Sequence, residues 1–385
     1  MRVRWVLEDA ARLGGVESVT RTLVDGLRAR GHDAAALSWF PEPAPFAGGR
    51  PVRWLTAKVR RARAHGAAAA SMADELHRQL LDTPELVVLL DPGSMPVAKH
   101  LRGAPRWGIH MHWSPDLVLR PWLHLAGEGV PPVLRRVVSW RMRQVARRNR
   151  RILNRAPFVV TLTQSHTRAL HELGPKVREV PNPADLAVSP LREPSATLRV
   201  VYLGRISYEK GPDLFVKAAA HLKDHPDLSW VMGGAGPMDG LLRDCANEIG
   251  AHIEFHGWVR EARALLESAD VFVLPSRTEA VPLVLAEALA AGCLVVAADA
   301  GTGVRDVLLE GRLGRIVPVD DVVALAAAIA DAAADRRSGL RPDAAALREL
   351  VQRHDPLRVL GLWESTVAAV AGSPAPPRND CLQAE

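Results

Sequence analysis

Cysteine is scarce: the 385 residues hold 3, at Cys245, Cys293 and Cys381, with no CxxC pair and no histidine beside them at ligand spacing. That excludes a disulfide framework and a zinc site as organising features. Long apolar runs are lacking as well. The longest, residues 288–298, falls well short of the roughly 20 residues a membrane-spanning helix needs, and the apolar opening at residues 3–7 runs into Glu8 and Asp9 too soon for a signal peptide. These shortages together predict a protein made and kept in the cytoplasm. Strong charge is also missing. A formal net charge of +6 is modest for this length; it suits an acidic ligand without demanding nucleic acid.

What is present is ordinary globular material, 48% hydrophobic and 24% charged, enough for two sizeable cores. Short apolar, β-branched runs at residues 3–7, 34–37, 86–90, 158–163, 198–203, 228–232, 271–274 and 294–297 alternate with helical stretches, the first of them over 16–30. Such alternation predicts an α/β fold of parallel sheets wrapped by helices. The alternation breaks between Asn182-Pro183 and Glu193-Pro194-Ser195, where proline and polar residues gather, and a fresh series begins at Leu198. The predicted limits are a first domain over 1–190, a second over 191–356, a helix over 357–372, and a disordered proline-rich tail over 373–385.

Three segments of the second half carry chemistry. The first is Ser276-Arg277-Thr278-Glu279-Ala280-Val281-Pro282-Leu283, continuing to Glu287, directly after a strand. Pro282 is placed to be the first helical residue, so Glu279 falls in the strand-to-helix loop at the carboxyl edge of the sheet, where doubly wound folds bind ligands. Eight positions of continuous helix would separate the two glutamates by about 12 Å along the axis and about 80° around it. That is too far for the carboxylate dyad of a retaining glycosidase, roughly 5–5.5 Å, and suits two contacts along one extended ligand. The bland alternative is a solvated loop residue followed by a helix-surface charge.

The second segment, Gly204-Arg205-Ile206-Ser207-Tyr208-Glu209-Lys210-Gly211, also follows a strand and opens a helix. Backbone N–H groups and the helix dipole there favour an anion, and Arg205 with Lys210 adds two cations that match a diphosphate. The third, Met232-Gly233-Gly234-Ala235-Gly236, permits close approach of backbone to ligand, though a tight strand-helix turn wants the same residues. Gly14-Gly15 take the equivalent ligand-facing position after the first strand.

In this order the segments resemble the family 4 glycosyltransferases, retaining enzymes of the GT-B fold, from Met1 to about residue 371. The family's two glutamates separated by seven residues fall on Glu279 and Glu287, and its Gly-Arg…Lys-Gly motif on Gly204, Arg205, Lys210 and Gly211. Gly14, Gly15, Glu17, Gly31, His32, Ser165, Asn182, Gly257 and Asp270 match further landmarks. The resemblance implies two Rossmann-like doubly wound domains facing across a cleft, with the terminal helix crossing back to the first. It implies a nucleotide-sugar donor held by Gly15, Gly204, Arg205, Lys210, Gly234, Val259, Glu279, Val281, Leu283 and Glu287. Arg205 and Lys210 would stabilise the leaving diphosphate, Glu287 would hold the ribose, and Glu279 would contact the sugar. UDP is the expected nucleotide, ahead of GDP. No metal or other cofactor is expected, and the acceptor is a hydroxyl on a lipid-linked or cell-surface glycan or a small secondary metabolite. A histidine of the first domain faces the donor sugar in the family, and His112 is preferred over His110 for that place. The sequence departs from the pattern at Ala280, where the family usually has glycine. A catalytically silent partner subunit and a nucleotide-sugar epimerase are the alternatives.

One feature stands outside that pattern. Between residues 135 and 155 there are nine arginines and no acidic residue, interleaved with apolar positions that include Trp140. A basic amphipathic helix of this kind can lie on an anionic membrane surface, with Trp113, Leu117, Trp122 and Leu123 extending the contact; the plainer reading is a solvated basic helix packed on the first domain. No recognised nucleic-acid-binding module accompanies the charge.

Overall fold

The computed structural model describes residues 2–7, 15–38, 49–51, 85–89, 106–112, 132–190 and 192–372. Gly14, Leu90, residues 113–123, the tail from Ser373 and the side chains of Arg135, Arg136 and Arg141 lie outside the described residues. The chain divides into two compact units, one ending at Pro183 and resuming at Pro356, the other running from Ala184 to Asp355.

The first unit carries a parallel sheet of seven strands: β1 (Arg2–Leu7), β2 (Asp33–Ser38), β3 (Gly49–Pro51), β4 (Glu85–Leu89), β5 (Arg106–His110), β6 (Phe158–Thr161) and β7 (Val177–Glu179), in the order β3-β2-β1-β4-β5-β6-β7. The second carries β8 (Leu198–Leu203), β9 (Leu228–Gly233), β10 (Ile253–Gly257), β11 (Val271–Leu274), β12 (Leu294–Ala298) and β13 (Arg315–Val317), in the order β10-β9-β8-β11-β12-β13. Counted from its own first strand, each sheet runs 3-2-1-4-5-6, the doubly wound Rossmann order, with β7 added at the edge of the first. The strand order therefore reverses once in each, between β1 and β4 and between β8 and β11.

The strands are fixed by composition. Every residue of β11 and of β12 is buried, as expected for strands covered on both faces. Alternate side chains feed two cores. Val200, Tyr202, Phe215, Trp230, Val273 and Ile329 pack on one side, and Val201, Val231, Phe272, Leu285 and Val295 on the other. The β8–β11 pairing covers only Val271↔Val200 and Phe272↔Val201, so the strands part before their carboxyl ends.

Asp270, just ahead of β11, is fully buried. Its carboxylate takes bonds from Arg336 Nε at 3.1 Å and the Arg199 backbone N–H at 2.9 Å, and pairs with Arg192 at 3.0 Å. One carboxylate thus ties the entry segment, the first strand and the long helix Val322–Arg337 together. Burial of that charge is tolerable only because both oxygens are satisfied. The segment after Pro183 sits with the second unit rather than extending the first to 190: Leu186 joins its core, the Ala184 N–H donates to the His354 carbonyl at 2.9 Å, and Ser189 Oγ donates to Glu267 at 2.7 Å.

The helix Pro356–Gly372 groups with the first unit, far from it in sequence. Trp363 is fully buried and meets Trp5 edge-on at 5.6 Å and His110 at 4.9 Å. Glu364 receives Arg30 at 2.7 Å and His32 at 3.0 Å. Trp363→Ala is expected to lose about 3–5 kcal/mol from the first unit's unfolding free energy, read by urea denaturation. A loss below about 1 kcal/mol would mean that the helix is not anchored there.

Candidate functional site

Open α/β sheets hold ligands beyond the carboxyl ends of their strands, at the point of reversal. In the second unit that point receives the turn after β8 and the loop after β11, the two segments singled out by their glycines, cations and glutamates. Lys210 Nζ donates to Glu279 Oε1 across it at 2.8 Å, and Ser276 Oγ donates to the same oxygen at 2.8 Å. Glu279 is 7% exposed, so the Lys210 ammonium and the Ser276 hydroxyl supply the bonds that its buried carboxylate requires. The Glu279 N–H is itself satisfied by the Ala300 carbonyl at 2.9 Å.

Glycine is required where these segments meet. Gly211 has φ +62° and a Cβ there would run into the Pro275 carbonyl oxygen. Gly234 has φ +134°, and a Cβ there would strike the Gly204 carbonyl. Any other residue would push the turns apart. The turns after β8 and β9 are also interlocked through backbone bonds, Gly204 N–H to the Gly233 carbonyl at 3.1 Å and Ile206 N–H to the Ala235 carbonyl at 3.0 Å, while the buried Tyr202 hydroxyl donates to the Arg205 carbonyl at 2.8 Å.

Arg205 points outward and pairs with Glu209 at 2.6 Å. Burial pushes the Glu209 carboxyl up, but the Ser207 hydroxyl and the charges of Arg205 and Lys210 outweigh it and hold the group below the usual carboxylate range. Both cations of the segment are therefore already compensated by carboxylates that fix their directions.

Glu287 does not lie where continuous helix would put it. The helix runs Leu283–Ala290, and Pro282 is its extended N-cap (φ −78°, ψ 96°) rather than its first turn. Glu279 precedes the helix by four residues, so an axial spacing of about 12 Å, which eight residues of unbroken helix would give, does not apply. The loop turns Glu279 back into the protein instead. Glu287 is exposed, and neighbouring protein desolvates its carboxyl and raises its pKa. Val281 and Leu283 are half-buried beside the loop, and Val259 is half-buried against the Gly233 turn. Ala280 is not among the non-glycine residues with positive φ, which are Leu309, Glu310 and Asp320 among those described. Alanine thus fits the backbone where the family usually has glycine.

In the first unit Gly15 opens the helix Gly15–Ala29 and is exposed. His110 and His112 stand at the end of β5, both buried, with His112 Nε2 3.1 Å from His110 Nδ1. Burial pushes His112 down to about 3 and, with the His112 charge as a second cause, drives His110 well below its ordinary value. Both rings are neutral at physiological pH. His110 is the deeper one, set edge-on to Trp363, and His112 is the more accessible.

Sequence reasoning overlooked Ser276 and Arg277. The serine's place three residues ahead of a glutamate was visible. The Arg277 partners, Asp213 and Asp320, are 64 and 43 residues away and gave no local signal.

Two sheets that share the 3-2-1-4-5-6 order, with a glycine-rich basic turn and an acidic loop at the second reversal point, define the class: an α/β protein of the GT-B fold. The family profile "Glycosyl transferases group 1" matches residues 197–335, and "Glycosyl transferase 4-like domain" matches residues 14–183. This chain belongs to the family 4 glycosyltransferases. It is 36% identical over 170 residues to the phosphatidyl-myo-inositol mannosyltransferase of Mycolicibacterium smegmatis, covering 42% of this chain and 44% of that one. It is 32% identical over 227 residues to the GDP-mannose-dependent alpha-(1-6)-phosphatidylinositol monomannoside mannosyltransferase of the same organism, covering 52% and 59%. The chain thus matches about half the length of these relatives. Anabaena HepE in complex with UDP superposes with a TM-score of 0.72 at 17% identity, over 96% of this chain and 100% of that one, which shows the fold.

The histidine pair generates a prediction. Because burial disfavours the charged ring, His112 should carry no charge change between about pH 5 and 8. Its side-chain 15N shifts should stay those of a neutral imidazole across that range. A midpoint near the ordinary value of roughly 6.5 would contradict the buried placement.

Proposed function

We propose that this chain is a metal-independent, retaining glycosyltransferase that moves a sugar from a nucleotide-sugar donor, with UDP as the nucleotide, to a hydroxyl acceptor carried on a lipid or glycan. The observation that carries this reading is the Lys210–Glu279 contact, a cation and a carboxylate held together at the reversal point of the second sheet. Neither alternative, a silent partner subunit or an epimerase, calls for that pair beside the compensated Arg205.

In the reaction the bond from the anomeric carbon to the diphosphate breaks, the nucleoside diphosphate departs with the electron pair, and the acceptor oxygen bonds to that carbon while its O–H bond breaks and the proton passes to the departing diphosphate. Negative charge grows on the diphosphate. Arg205 and Lys210 are the groups that stabilise it, and a fixed cation in a partly desolvated crevice acts there without reorganising. Glu279 orients Lys210 from its buried position and contacts the donor sugar beside it. Glu287 accepts from the ribose hydroxyls, Gly204 and Gly234 let the backbone approach the phosphates, and Val259, Val281 and Leu283 complete the donor's surroundings. The UDP bound to HepE is in keeping with a nucleotide site on this fold, the GDP-mannose dependence of one mycobacterial relative names the competing nucleotide, and both mycobacterial relatives support a lipid-linked acceptor.

In a thermal-shift panel of nucleotide sugars, a donor at 100 times its dissociation constant should add about 2.7 kcal/mol of stability. A UDP-sugar is the expected hit. Lys210→Ala and Glu287→Ala should each lose that gain, and full stabilisation of either variant would contradict the site. A shift confined to GDP-sugars would correct the nucleotide alone.

The helix Pro132–Arg155 supports a site of work at a cytoplasmic membrane face. Arg143, Arg147, Arg150, Arg151 and Arg155 are exposed, and Trp140, on the same face as Arg143 and Arg147, is 61% exposed. No described helix is long and apolar enough to cross a membrane. Surface attachment of this kind gains about 1 kcal/mol per cation near anionic lipid. The chain should co-sediment with phosphatidylglycerol vesicles at low salt and release at high salt, and Arg143→Glu with Arg147→Glu should weaken that binding. No co-sedimentation at low salt would remove the membrane contact.

A further inference from the structure

We propose that Arg277 is a positioning residue that sets Lys210 by clamping the turn which carries it to the loop which carries Glu279. The inference rests on the donor-site reading above. The guanidinium is 13% exposed and reaches three segments. Nη1 donates to the Tyr208 carbonyl and to Asp213 Oδ1, each at 2.8 Å, Nη2 donates to Asp213 Oδ2 at 2.8 Å, and Nε donates to Asp320 Oδ1 at 2.7 Å. The guanidinium also lies over the Tyr208 ring, 4.0 Å from its centroid. The Arg277 N–H donates to the Glu209 carbonyl at 2.9 Å.

Residue 277 therefore holds both residues that precede Lys210, Tyr208 by its side chain and Glu209 by its main chain. Asp213 opens the helix Pro212–His221 two residues beyond Gly211, so the turn is gripped on its far side as well. Asp320 presents its carboxylate from a left-handed backbone, φ +62°, a conformation that costs an aspartate energy and persists where its surroundings over-determine it.

Arg277 is not itself placed to bind an anion. Two carboxylates and a carbonyl take four of its five donors, and although its burial opposes the charge, the bonds and charges of Asp213 and Asp320 outweigh that and keep the group protonated. Its effect has to run through Lys210. A lysine is a point charge on a flexible stem, so the backbone it hangs from decides where the charge sits, and a displacement of about 1 Å can cost up to about 100-fold. Only a planar five-donor fork spans a bidentate carboxylate, a second carboxylate and a carbonyl at once.

The test is isothermal titration of UDP, with GDP in parallel, into the full chain: wild type, Arg277→Ala, Arg277→Lys, Lys210→Ala and the Arg277→Ala/Lys210→Ala double variant. Arg277→Ala should raise the UDP dissociation constant about tenfold, a loss within the range for misplaced groups, with one site per chain retained. Arg277→Lys, which keeps a cation beside Asp213 and so guards against a folding failure, should weaken binding as well. The double variant should bind no more weakly than Lys210→Ala, because the two losses run through one group. Wild-type affinity in both Arg277 variants, or losses that multiply in the double variant, would overturn the proposal. So would an unchanged dissociation constant with fewer sites per chain, the sign of a merely structural role. Failure of the wild type to bind either nucleotide would instead remove the donor-site reading, and this inference with it, before any variant is compared.

Discussion

The contact between Lys210 and Glu279 joins two segments that are 69 residues apart in sequence and adjacent only because the sheet reverses between β8 and β11. It is a partly buried ion pair, and such pairs are weak sources of stability because desolvation offsets attraction. Its value is positional. A lysine aimed into an open crevice would move with solvent; one bonded to a carboxylate that is itself bonded to Ser276 has its direction set. The rest of the crevice serves the same constraint. Gly211 lets the turn close on the Pro275 carbonyl, Gly234 does so against Gly204, and the short β8–β11 pairing leaves room beyond the strand ends.

Charge compensation is the second thread. Arg205 leans on Glu209, Lys210 on Glu279, and Arg277 on Asp213 and Asp320. Under the proposed donor reading, a diphosphate at this edge would meet Arg205 and Lys210 already oriented and share them with carboxylates rather than gather them from solvent. The first unit works differently. Its chemistry-bearing residues, His110 and His112, are kept neutral by burial, and the terminal helix supplies the aromatic cover through Trp363. Burial disfavours the charged form of both rings, which suits hydrogen bonding better than proton transfer at neutral pH.

Much of this was legible in the residues alone, and what was not has identifiable causes. Unbroken apolar runs gave β11 and β12 their positions, since strands covered on both faces carry no polar alternation to confuse them, and β8 was readable in spite of Arg199. The edge strand β10, with half-buried and exposed residues alternating as Ile-Glu-Phe-His-Gly, and the three-residue β13 escaped notice because neither holds a run long enough to read. Pro282 was misplaced by one position: proline suits both the N-cap and the first turn, and only the backbone angle distinguishes them. The glutamate and lysine were found through spacing and local order. Their mutual bond was not, because a contact across a parallel sheet leaves no periodic trace. Arg277 was hidden for the same reason, and strand alternation, which puts His110 and His112 on one face, could not separate them.

Amide hydrogen exchange with and without UDP tests the central claim most directly. If the reversal point of the second sheet holds the nucleotide, protection should rise in residues 204–211 and 276–287 and leave the opposite edge of the same sheet, the turn at residues 222–227 ahead of β9, unchanged. Protection that appears elsewhere while these two segments exchange as in the free protein would contradict the account.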